Sequence, residues 1–234
     1  MQNLQKNPDC MPTVSNWEIA ASAWKTYRKA PLLTRLLSSA RTYICPMQSL
    51  LVEVPQGATV FDIGCGSGLF LSLLVAYNVI DYAVGTDVNA KALKSATIAI
   101  SRQLQLSEMN VEFIRIENYR QWPVALFSVV SMIDVMHHIP PSHQKAFFEA
   151  AVQRVQPGGR LLYKDMCKRP LWRAIANRIH DLLLARQWIH YVPLATIKEW
   201  SQECGLELET ESHYSRYVYG HEKLVFRKPL PSLG

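Results

Sequence analysis

Val60-Phe61-Asp62-Ile63-Gly64-Cys65-Gly66-Ser67-Gly68 is the stretch on which the reading of this chain turns. A strand-like apolar run ends in an acid. Three glycines follow at alternate positions, and Leu69 to Ala76 then reads as a helix. Glycine allows close backbone approach to a ligand and tolerates positive φ. A helix that begins at such a turn points its free N–H groups and positive dipole end at whatever lies there. The turn is therefore expected to hold a cofactor.

The spacing narrows the kind. A dinucleotide fingerprint needs a third small residue five positions after its first glycine, and that position is Leu69. Asp62, just before the turn, would repel a pyrophosphate and suits a cationic ligand. Asp87 closes the next apolar run, Val84-Gly85-Thr86-Asp87-Val88, 23 residues after Gly64. That is about the distance at which an acid reaches a ribose.

Outward from this point, short β-branched runs alternate with helical patterns. Strands are expected near 59–63, 82–86, 111–116, 127–133 and 160–164. A helix capped by Asn89 carries Leu93, Ala96, Ile100 and Leu104 on one face. A second runs over about 142–155, buries Phe147, Ala151 and Val155, and is expected to stop at Pro157-Gly158-Gly159. Alternation of this kind implies right-handed crossovers and a parallel sheet, with ligands beyond the carboxyl ends of its strands. Residues 206–219 and 223–226 read as a final strand pair. The expected class is α/β, a doubly wound, mostly parallel seven-stranded sheet. Residues 1–55 form an N-terminal helical cap, with Trp17, Trp24, Tyr27, Leu32, Leu33, Leu36 and Leu37 supplying apolar faces. Residues 56–234 form the main domain, and within it 168–190 read as an amphipathic helical lid.

Four segments in order carry a family resemblance: the glycine run, the Asp87 strand end, Phe127-Ser128-Val129-Val130-Ser131-Met132-Ile133-Asp134-Val135-Met136-His137-His138-Ile139-Pro140, and Val155-Gln156-Pro157-Gly158-Gly159-Arg160-Leu161-Leu162. Together, over about 55–166, they resemble the class I methyltransferases dependent on S-adenosylmethionine (SAM), of the small-molecule type. The resemblance implies a Rossmann-like SAM fold and SAM as cofactor, with S-adenosylhomocysteine as product. It implies that the backbone of Gly64, Cys65, Gly66, Ser67 and Gly68 cradles the methionine part. Asp62 would hold the ammonium, and Asp87, with Val88 beside it, the ribose. Glu117 or Asn118 would meet the adenine amino group. Ile133 would lie beside the methionine, with Asp134 and His137 near the reacting methyl. The family's usual acid after the first Phe of the strand-four run is Ser128 here, a departure expected to matter for strand packing. A base is needed only where the acceptor holds a proton; His137 and, on the lid, His180 are the candidates, while His137 reads equally as a structural histidine. No cluster with metal-ligand spacing is present.

Composition sets the outer bounds. At 234 residues, 49% of them hydrophobic, the chain suits one domain with appendages. It has no run approaching the ~20 apolar residues of a membrane span, and its polar start lacks a signal-peptide core. Five scattered cysteines do not suggest a disulfide framework, so a cytoplasmic setting is expected. The net charge of +6 can be placed within 154–190, where eight basic residues face two acidic ones. Such a surface could draw anionic substrates, lipid or nucleic acid, or be a solvated helix face. The leading expectation is a methyltransferase acting on O, C or N of a small or lipid-like molecule, with peripheral membrane contact permitted by the basic lid. An RNA or protein methyltransferase and a non-catalytic SAM-binding protein are the alternatives. Nucleic acid is disfavoured by the absence from strand four of the motifs of adenine N6 and cytosine C5 enzymes.

Overall fold

The computed structural model describes residues 14–105, 109–166, 190–216 and 219–231. Helix α1 (Asn16–Thr26) begins at a capping box in which the Ser15 hydroxyl accepts from Glu18 N–H and the Glu18 carboxylate accepts from Ser15 N–H. Helices α2 (Leu32–Ile44) and α3 (Met47–Leu51) lead to β1 (Ala58–Ile63) and α4 (Leu69–Ala76). Then come β2 (Ile80–Asp87), α5 (Ala90–Leu104), β3 (Asn110–Arg115), β4 (Phe127–Ile133), α6 (Pro141–Val152) and β5 (Val155–Met166). Helix α7 (Leu194–Glu203) and the hairpin β6 (Glu207–Arg216) and β7 (Tyr219–Arg227) complete the described chain.

The described strands make a seven-stranded sheet in the order β3-β2-β1-β4-β5-β7-β6. Strands β1 to β5 are parallel, and β7 enters antiparallel between β5 and β6. The order reverses between β1 and β4, so the crevice at their carboxyl ends is where this topology receives a ligand. Helix α4 is apolar all round because it is covered on both sides: Leu69 to Val75 are all buried, by the sheet and by α1, α3 and α5. An aromatic cluster of Phe61, Trp122, Phe127 and Phe147 fills the other face. Among the described residues, no helix is long and apolar enough to cross a membrane.

Three sequence expectations change. The helix before β5 ends at Val152, and Val155 already pairs with Phe127 in the sheet. Pro157-Gly158-Gly159 thus lies inside β5 as an irregularity, where Gly158 N–H reaches Lys228 O at 2.8 Å. The apolar residues of α2 face outward, with Leu32, Leu33, Leu36 and Leu37 at 49–68% exposure. Trp17 and Trp24 are exposed as well, whereas Tyr27 is buried. The basic excess expected on one surface over 154–190 loses members among the described residues: Lys164 is fully buried against Asp134, and Arg160 bonds Glu209. The lid expected over 168–190 lies, except for His190, outside the described residues. Ser128 does serve packing, for its hydroxyl accepts from Thr59 N–H and donates to Thr59 O, tying β4 to the start of β1.

Candidate active site

The glycine turn is held by its neighbours' backbones. Cys65 N–H donates to Thr86 O at 2.9 Å and Gly68 N–H to Cys65 O at 2.8 Å. Gly64 and Gly66 both have positive φ, 69° and 56°, but their surroundings differ. A Cβ at Gly64 would stand 2.3 Å from Val135 Cγ2. One at Gly66 would meet nothing within 4 Å. Gly64 is therefore a packing requirement, while Gly66 borders open space of the kind a cofactor fills.

Two carboxylates flank that opening. Asp62 is buried at the end of β1, where its Oδ1 accepts from Ser131 Oγ at 2.7 Å. Burial pushes its carboxyl up to about 7, against the pull of the Ser131 hydrogen bond. Asp87 ends β2, accepting from Gly66 N–H and from Asn89 N–H, both at 2.8 Å. The Cys65 thiol, pushed well up by burial, also feels both carboxylates, so the two acids address one place. Carboxylate oxygens accept more than one hydrogen bond, which leaves Asp87 capacity for a ligand. Val88, an apolar side chain 59% exposed, projects beside it.

At the end of β3, Glu117 is exposed and pairs with Arg115 Nη2 at 2.5 Å. Asn118 is occupied as a cap, its Oδ1 accepting from Arg120 N–H at 3.0 Å. Ile133 is buried at the end of β4. Beyond it the chain turns through Asp134, a non-glycine residue at φ 57°. Asp134 binds Lys164 Nζ at 2.6 Å and Arg41 Nη2 of α2 at 3.0 Å. Burial works to raise its carboxyl, but the two cations outweigh it and hold it well below the usual range. Lys164 stays charged for the same reason: burial alone would lower it, and Asp134 reverses that.

His137 is buried, with its Nδ1 bonded to Asp165 Oδ1 and its N–H donating to Asp165 Oδ2 at 3.2 Å. Its carbonyl accepts from His190 N–H at 2.8 Å. His138 is exposed, its ring 4.1 Å from that of His137. His180 lies outside the described residues. Tyr27, buried at the end of α1, donates from its hydroxyl to Ser67 O at 2.6 Å, clamping the turn from the N-terminal side. Burial pushes that hydroxyl up to about 12, so it remains a donor. A cavity of about 700 Å³ opens between α2, Ser67 and the first turns of α5.

Sequence reasoning missed Arg41, Asp165, Lys164 and Tyr27. Their partners lie 28 to 93 residues away, and no local pattern announces them. The exception is Lys164-Asp165, two charges closing the apolar run Leu161-Leu162-Tyr163.

A parallel sheet reversing at β1 and β4, a glycine turn bordering open space and two acids beside it define the class I SAM-dependent methyltransferase fold. The comparisons carry this further. The family model described as "Methyltransferase domain" matches residues 33–211, and the chain belongs to that family. A relative named "Ubiquinone biosynthesis O-methyltransferase", from Neisseria meningitidis serogroup C (strain 053442), is 24% identical over 147 residues, 63% of this chain and 58% of its own length. The chain spans less than two thirds of the length of the first curated relatives it matches. Two solved structures share the fold. Magnesium protoporphyrin IX methyltransferase from Synechocystis PCC 6803, with bound S-adenosylhomocysteine, superposes with a TM-score of 0.64 at 16% identity, covering 91% of this chain and 97% of that one. An N-methyltransferase from Bradyrhizobium japonicum WM9, also with S-adenosylhomocysteine, gives 0.61 at 16% identity, covering 88% and 99%.

Proposed function

We propose that this protein is a SAM-dependent methyltransferase acting on a small or lipid-like molecule, with a hydroxyl oxygen as the acceptor atom. The observation that carries the reading is the open side of Gly66 between Asp62 and Asp87 in a chain of the methyltransferase-domain family. The relatives' name favours oxygen, and so does a histidine held by a carboxylate. A hydroxyl acceptor has a proton to lose, and a positioned base can take it.

The residues divide the work. The turn from Gly64 through Cys65, Gly66 and Ser67 to Gly68 lines the methionine part, with Ile133 below it. Asp62 meets the ammonium, and Arg41, within electrostatic reach of Asp62, is placed for the carboxylate. Asp87 accepts from the ribose hydroxyls and Val88 lies against the adenine. Glu117 is preferred over Asn118 for the adenine amino group, because the Asn118 oxygen already caps a turn. Bound SAM supplies a methyl group activated by its sulfonium, so the protein's task is alignment and exclusion of water. His137 is the proposed base. Donation from Nδ1–H to Asp165 would make Nε2 the accepting nitrogen, so Asp165 is its positioning residue. Asp134, an ionised carboxylate held by two cations, is a poor proton acceptor and ties α2 to the site instead.

The test is transfer of labelled methyl from SAM to a phenol bearing an isoprenoid tail, beside an amine analogue and RNA. Label in the phenol supports the reading. Label in RNA, or tight SAM binding with no transfer to any acceptor, defeats it. His137→Ala is expected to lower turnover by about 10²–10⁴ with SAM affinity unchanged in calorimetry. Asp165→Asn should lower turnover less and displace its pH profile; unchanged turnover in His137→Ala would return His137 to a structural role.

A further inference from the structure

Helix α2 wears its polarity inside out. At about 3.6 residues per turn, Leu32, Leu33, Leu36, Leu37, Ala40 and Tyr43 fall on one broad side, and all are exposed. Ser38 and Thr42 lie on the opposite side and are buried. A surface helix ordinarily does the reverse. Both charges of the helix are drawn away from the apolar side: the Arg35 guanidinium stacks 3.7 Å from the Trp24 ring and its Nε donates to Trp24 O, and Arg41 pairs with Asp134. The aliphatic face is thus continuous and free of charge.

Its rim is basic. Arg28 and Lys29 are exposed immediately before Pro31, which opens the helix. Lys91 and Lys94 of α5 are exposed and line the same cavity as Leu37. No acid occurs in residues 19–52 or 88–107. We propose that this face docks the protein on an anionic bilayer surface, with the α2 leucines in the upper acyl region and the four rim cations against lipid phosphates. An apolar helix face with flanking cations has the chemistry of an interfacial helix. A second copy on this face would set one basic rim against another, and a face whose six residues carry a single polar group, the Tyr43 hydroxyl, offers a protein partner little to fix its orientation.

The site differs from the basic lid on which sequence placed membrane contact. Docking stands on α2 and α5 and does not need the methyl-transfer reading. Where both hold, Arg41 and Ser38 of the same helix border the cavity that reaches Ser67, so a lipid-like acceptor would enter from the bilayer side.

The test is flotation of the full chain with vesicles of phosphatidylcholine alone and of phosphatidylcholine with phosphatidylglycerol. The protein is expected to float with the anionic vesicles, much less with the neutral ones, and less as salt rises. Leu33→Glu/Leu36→Glu should lower partition at least about tenfold with the thermal midpoint unchanged or raised. Arg28→Glu/Lys29→Glu leaves the leucines in place and should lower partition as well, which keeps the test decisive if the first variant misfolds. Equal partition of wild type and both variants overturns the proposal. So does absence of flotation, whether the leucine variant then breaks a dimer in gel filtration or melts earlier because the chain itself packs on this face. SAM binding in calorimetry is a separate readout, and its loss leaves the docking result intact.

Discussion

The glycine turn after β1 and the exit of β4 lie side by side at the sheet's point of reversal and are held by different forces. The turn is fixed mostly by backbone hydrogen bonds over shorter stretches, with the Asp87 carboxylate and the Tyr27 hydroxyl as its side-chain struts. The β4 exit is fixed across long ones by two ion pairs, Asp134 to Lys164 and to Arg41, and by the hydrogen bonds of His137 to Asp165. The first arrangement leaves an open side for a ligand. The second fills its interior with paired ions and is rigid only while every partner is present. The two regions should therefore fail differently, the turn through binding and the exit through stability.

The sharpest break is at glycine. Gly66→Val should abolish detectable SAM binding by filling the open side, while a Val at positive φ costs about 1–3 kcal/mol of stability and leaves a folded domain. Gly64→Val, whose Cβ would strike Val135 at 2.3 Å, should fail to fold cooperatively. Calorimetry and thermal melts on both variants separate the roles, and normal SAM binding by Gly66→Val would remove the cradle.

Next comes the ion pair. Lys164→Met strands Asp134 beside a half-exposed Arg41 and should cost about 3–5 kcal/mol in denaturant unfolding. A loss below about 1 kcal/mol would show that the β4 exit does not depend on charge. Asp87→Ala should weaken SAM affinity by about 1.5–3 kcal/mol, with a smaller effect on unfolding; unaltered affinity would end the ribose assignment.

The smallest effect is a pH dependence at Asp62. Its folded carboxyl stands at about 7, above its ordinary value of 3.8, so the protonated form is favoured by the fold. The free protein should lose stability from this group as pH rises from about 4 to about 7. Ammonium binding needs the ionised form, so below about pH 7 binding must release a proton. SAM affinity should fall by up to about tenfold per pH unit there and level off above it. Asp62→Asn should flatten the profile; an identical profile in that variant would detach Asp62 from the ligand.

Much of the fold was legible because its signals are local. The Asn89 cap, the β4 run and the alternation that implies a parallel sheet all act over a few residues, and each appears where its pattern placed it. The end of α6 was misread because Pro157-Gly158-Gly159 stops a helix in most settings, whereas here pairing of Val155 with Phe127 had already begun the strand. Within the site, Asp62, Gly66 and Asp87 sit at strand ends that hydrophobic patterning locates. His137 was visible, but its partner was not: Asp165 reaches it only because β4 and β5 are neighbours in the sheet.

Sequence by itself determined the glycine turn, the strand ends and the acids on them, since propensity, capping and alternation depend on residues a few positions apart. Tertiary structure alone decided that Arg41 and Lys164 converge on Asp134, that Asp165 holds His137, and that the leucines of α2 face outward. An amphipathic pattern says which side chains share a face and is silent on where that face points. Its direction follows from burying Ser38 and Thr42 and from the pull of Asp134 on Arg41, interactions that exist only once the chain has closed on itself.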